Sequence, residues 1–178
     1  MIVDEIGGRM KSIPVLLIVG ALLGVAGTFV PDASLRGLCW GIDGVMLVVG
    51  TALLTIHYFR LGRDVVAAGF LVFAVGEALI LSVANADPAT SAPVFGAGAA
   101  LWSASLIMVG APKVMPAWVR LASIVAAVLF AFVALHIFFG FALSPLTKPL
   151  PFFAYPFLVA TLIGWALAYR NSGSKKVV

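Results

Sequence analysis

The run Leu38–Val83, LCWGIDGVMLVVGTALLTIHYFRLGRDVVAAGFLVFAVGEALILSV, decides the fold. It is two apolar stretches, 38–59 and 65–83, each long enough to cross about 30 Å of hydrocarbon. The charged turn Arg60-Leu61-Gly62-Arg63-Asp64 joins them. Such a pair reads as a transmembrane helical hairpin folded about Leu61 and Gly62. Each arm carries one carboxylate in apolar surroundings, Asp43 in the first and Glu77 in the second. Asp43 stands 19 positions before Gly62 and Glu77 15 after it, so both acids fall within about one helical turn of the same depth. An ionisable side chain inside a membrane helix is expensive and marks a functional site by default.

The rest of the chain has the same character. Of its 178 residues 63% are hydrophobic and 10% charged, with a mean hydropathy of +1.17. That is too little polar surface for a water-facing domain, and lipid must be the solvent. The net charge of +4 does not read as a nucleic-acid footprint, because the basic residues cluster at the ends of apolar runs. The single cysteine, Cys39, excludes an internal disulfide.

Outward from the hairpin, apolar runs predict four more helices at 13–30, 94–110, 117–139 and 151–169. Flanking them are a short mixed-charge segment at 1–12 and a basic tail at 170–178. The run 13–30 is longer than the roughly 7–15 residues of a signal-peptide core and reads as a retained span. Pro156 predicts a kink in the last helix. The expected fold is therefore an all-α polytopic bundle of six transmembrane helices built from hairpins. Gly20 and Gly24 form a GxxxG pair, and Gly37, Gly41, Gly44, Gly69, Gly76 and Gly96 supply further small faces for helix packing. Gly44-Val45-Met46-Leu47 and Gly98-Ala99-Ala100-Leu101 hint at a parallel repeat of the hairpin at an offset of 54. In hydropathy and glycine placement alone the chain resembles small six-helix acid-resistance proteins of the bacterial inner membrane.

Counting basic residues orients the bundle. One side holds Arg9, Lys11, Arg60, Arg63, Lys113, Arg120, Arg170, Lys175 and Lys176, the other Arg36 and Lys148. Nine against two predicts cytoplasmic N- and C-termini in a multi-pass protein of the cell (inner) membrane. Tyr58, Trp118, Trp165 and Tyr169 then fall near the cytoplasmic boundary, and Trp40, Phe152, Phe153 and Tyr155 near the outer one.

On this topology Asp43, Glu77 and His136 share the outer half of the membrane. Neighbouring carboxylates do not both ionise cheaply, so the layer suits a shared proton or a bound cation. The plainer alternative makes Asp43 a partner of Arg36, and Glu77 an interhelical bond to Ser103 or Ser105. His57 and His136 lie at opposite faces, which argues against an axial haem pair. No HExxH, GxSxG, P-loop or CxxCH motif occurs. The expectation is therefore a non-enzymatic protein without cofactor or metal. Its partners are the bilayer and possible membrane-protein or homo-oligomeric neighbours, not nucleic acid. Two roles compete: a small transporter or channel using the Asp/Glu layer, and an accessory or scaffold subunit packing through its glycine faces.

Overall fold

A computed structural model describes residues 11–84, 86, 88–141 and 143–172. Most of the N-terminal segment and the basic tail from residue 173 onward lie outside the described residues. The described chain is all-helical, with six helices long and apolar enough to span a membrane. They are α1 (Ser12–Phe29), α2 (Ala33–Arg60), α3 (Asp64–Ser82), α4 (Pro88–Gly110), α5 (Ala117–Phe138) and α6 (Tyr155–Ser172). A short 3₁₀ turn, Phe152–Ala154, leads into α6.

The hairpin turn falls where the sequence places it. Gly62 adopts φ +64°, and the amides of Gly62 and Arg63 reach back to the carbonyls of Phe59 and Tyr58, each at 3.0 Å. This is a Schellman closure, which needs a left-handed residue that glycine adopts without a Cβ clash.

Other boundaries depart from the apolar runs, and each has a local cause. α2 starts at Ala33 rather than Leu38 because the Asp32 carboxylate caps it, accepting from the Leu35 amide at 2.8 Å. Asp32→Ala should cost about 1 kcal/mol of stability, read as a lowered thermal midpoint in detergent. Asp32→Asn, which keeps the acceptor, should not. α4 starts at Pro88, six residues before the predicted position, and carries Pro93 within it. Near the start of a helix a proline has few upstream carbonyls to strand. Pro156 is the second residue of α6, where no intrahelical donor is lost, so the predicted mid-helix kink does not form there.

Two arginines counted as topology signals also close helix ends. Arg36 donates to the Val30 carbonyl at 3.2 Å, just past α1. Arg120 donates to the carbonyls of Gly110 and Ala111 at 2.9 and 3.1 Å, at the end of α4. In both cases a cation meets the negative end of a helix.

Among the described residues each helix backbone approaches only its neighbours in sequence, and α1 meets α6 to close the circle. The bundle is thus a ring of six helices. Glycines set its seams: a Cβ on Gly20 would lie 2.9 Å from Leu47, on Gly44 3.0 Å from Leu81, on Gly69 2.8 Å from Val109, and on Gly96 2.7 Å from Ile137. Gly76 and Gly98 press together across α3 and α4, each within about 3 Å of the other's carbonyl once a Cβ is added. Gly37 is buried. Gly41, expected on a packing face, meets nothing within 4 Å. Outward-facing side chains such as Val15, Leu22, Val45, Leu71 and Leu121 are exposed, as a lipid-facing surface requires.

Inside the ring, aromatic side chains fill the middle and the end carrying Arg60. Tyr58 stacks on Phe70 at 5.3 Å, Phe70 meets Trp165 edge-on at 4.8 Å, and Trp165 meets Phe73 at 5.4 Å. Phe73 stacks on Trp102 at 5.9 Å, and Trp102 meets Phe130 at 5.1 Å. Trp165, expected at the cytoplasmic boundary, is only 1% exposed at the centre of this chain of rings. His57 sits at its end against Tyr58 and Tyr169. Such offset and edge-to-face contacts add to the apolar burial that holds the ring closed.

Candidate functional site

Above the aromatic fill, towards the end of the ring that carries Trp40, the helices leave a cavity of about 110 Å³. On the same measure a water molecule needs roughly 10–15 Å³, so the space holds several waters or one small ligand. α1, α2, α3, α4 and α6 all contribute walls, from Thr28, Ala84 and Pro145 near the loops down to Leu47, Trp102 and Leu162.

Asp43 and Glu77 both line this cavity. The antiparallel hairpin closed at Gly62 brings them to one level, near enough for their charges to interact. Glu77 is 3% exposed and Asp43 partly buried. Glu77 Oε2 and Asp43 Oδ1 have no hydrogen-bond partner among the described residues. The Trp102 indole N–H is the donor placed to reach the Glu77 carboxyl, but it falls short of standard geometry and is itself unsatisfied. No Lys, Arg or His is among the described residues lining the space. Two acids therefore face a partly closed apolar chamber without a counter-charge.

None of the structural partners expected for these acids bonds to them. Arg36 turns back to α1 and lies over the Trp40 ring at 5.7 Å rather than reaching Asp43. Ser103 donates to the Ala127 carbonyl of α5 at 2.8 Å. Ser105 is buried with an unsatisfied hydroxyl.

The α1 glycine pair shapes the Asp43 side. A Cβ on Gly24 would fall 2.5 Å from Asp43 Oδ2, and one on Gly27 2.6 Å from the Trp40 ring. Trp40 donates its indole N–H to the Gly24 carbonyl at 3.2 Å, which fixes the ring at the rim. Gly24 is thus the residue that makes room for a carboxyl.

His136 does not line the cavity. It is exposed at the end of α5, bonded through Nδ1 to the Phe132 carbonyl at 2.8 Å and set against Phe141. The structure does not bring it to Asp43 and Glu77, because α5 turns this side chain outward. Among the described residues no three His, Cys, Asp or Glu side chains gather into a metal-ligand group.

The sequence reading missed the aromatic part of the site. Trp40 and Tyr155, expected near the outer boundary, line the cavity together with Trp102 and Phe95. Tyr155 lies within electrostatic reach of both acids and packs on Phe130 at 5.9 Å. A tryptophan in mid-span, where its N–H finds no interfacial water, was the available signal.

No protein-family model, no curated protein and no solved structure matches the chain. The functional reading therefore rests on the chemistry of this cavity within a multi-pass membrane protein.

Proposed function

We propose that the chain is a small membrane transport protein in which a proton or small cation engages Glu77 and Asp43 on its way through the ring. The observation that carries this reading is the cavity reaching a buried Glu77 whose Oε2 has no protein partner. An acid kept as structural glue would be bonded to a neighbouring helix, because an unsatisfied polar group in apolar surroundings is costly. The reading is of a non-enzymatic protein: the sequence carries no HExxH, GxSxG, P-loop or CxxCH motif. The accessory-subunit alternative draws less support. Gly20, Gly24, Gly44, Gly69, Gly76 and Gly96 already pack on other parts of this chain and are not free for a partner helix.

The decisive experiment is flux into liposomes containing the purified protein. Protons, alkali cations and compact organic cations would be offered in turn against an imposed pH gradient or potential. Passage of one of them above the leak of empty liposomes supports transport. No passage of any of them sinks the reading.

In the proposed orientation both termini are cytoplasmic and the cavity faces outward. In a Cys39→Ser background, Ser34→Cys should then label with an impermeant maleimide on intact cells. Lys113→Cys should label only after lysis. The reverse pattern would invert the topology.

A further inference from the structure

We propose that the cavity binds a compact organic cation, a protonated amine or quaternary ammonium with a short apolar body. The inference rests on reading the cavity as a substrate site and specifies the substrate class.

Charge supplies the first argument. The chamber presents two carboxyls and no basic side chain among its described residues. With one proton shared between them the pair keeps a single negative charge, which a monocation offsets and an anion does not. Glu77, only 3% exposed, lines the space, and its Oε2 has no partner among the described residues.

The rest of the lining separates organic from inorganic cations. A hard metal ion that sheds its water needs several oxygens in return, six or more for calcium and magnesium. Here two carboxyls, the Tyr155 phenol and a few small hydroxyls stand among apolar walls, and no three-residue ligand group is present among the described residues. An alkylammonium has the opposite needs: one counter-charge and apolar or π surface for its carbons. Trp40, Phe95, Trp102 and Tyr155 provide that surface, and aromatic faces beside a desolvated cation stabilise it through the ring quadrupole. Size fits the same class. The cavity of about 110 Å³ leaves room for a small ammonium.

The test is titration of the detergent-purified full chain with tetramethylammonium chloride, followed by tryptophan fluorescence, since Trp40 and Trp102 line the cavity. Potassium chloride at equal ionic strength and tert-butanol, a neutral probe of similar shape, are run alongside. The expected result is a saturable change with tetramethylammonium alone, weakened at least tenfold in Glu77→Gln and also weakened in Asp43→Asn. Wild-type protein supplies a readout that needs no variant: tetramethylammonium should protect Glu77 and Asp43 from dicyclohexylcarbodiimide, followed by peptide mass spectrometry. An equal response to tert-butanol would mean an apolar or lipid-chain pocket and overturn the proposal. An equal response to potassium, no saturation, or no protection would do the same. Binding without flux would retain this site and remove the transport reading. Flux of protons or alkali cations without tetramethylammonium binding would retain transport and remove this inference.

Discussion

Replacing Glu77 by Gln is expected to lower cation or proton flux at least about 30-fold while leaving the fold in place. The magnitude follows from the roughly 2–5 kcal/mol lost when one member of a buried charge pair is removed. The amide keeps the shape of the side chain, so the α3–α4 seam beside it has no reason to move. It also removes a buried acid whose Oε2 has no protein partner, and the thermal midpoint should stay level or rise. Asp43→Asn should act in the same direction but less strongly, because Asp43 is only partly buried. Proteoliposome flux and a melting curve on the same preparations decide the matter. A fully active Glu77→Gln protein would take Glu77 out of the mechanism.

The second large effect belongs to Gly98→Val, which should destabilise the protein by about 2–3 kcal/mol, the upper part of the usual range for overpacking. A Cβ there would lie 2.5 Å from Ile80 Cγ1 and 3.0 Å from the Gly76 carbonyl oxygen. Ile80 could turn aside, but the Gly76 backbone cannot, so α3 and α4 must separate. Glu77 follows Gly76 directly, and the separation would spread the cavity wall as well as the seam. Gly41→Val is the matched control. Its Cβ meets nothing within 4 Å, and its effect should stay within about 0.5 kcal/mol. Equal melting of the two variants would show that glycine identity, not the α3–α4 contact, sets the stability.

What the sequence disclosed and what it withheld divide along a physical line. Depth in the membrane follows from counting residues along a helix of fixed rise. Six spans, the turn at Gly62 and the common level of Asp43 and Glu77 were therefore all legible. Direction around the helix axis was not. The helices are apolar on nearly every side, so no stripe tells the inward face from the lipid face. His136, expected in the acid layer, is exposed at the end of α5 and turned away from the cavity. Trp102 and Tyr155 were hidden for the same reason, since only the packed neighbours decide that their rings face the cavity. Helix ends formed a third class. Asp32 starts α2 a turn before its apolar run, and α4 runs through Pro93: hydropathy records where lipid begins, whereas caps and dihedrals record where a helix does.

The closure of α1 on α6 has a consequence for how the protein is made. Every other seam joins helices adjacent in the chain and is available soon after each hairpin is inserted. The α1–α6 seam joins two helices far apart in the chain and exists only once α6 has been inserted. Until then the five earlier helices form an open row, with Gly24, Asp43 and Glu77 on a wall that has no opposite side. Tyr155, Leu158 and Leu162 of α6 supply that side. A ribosome stalled before residue 155 would leave two acids in contact with lipid and no chamber around them. The chamber thus closes around the two acids only when α6 joins the five helices before it.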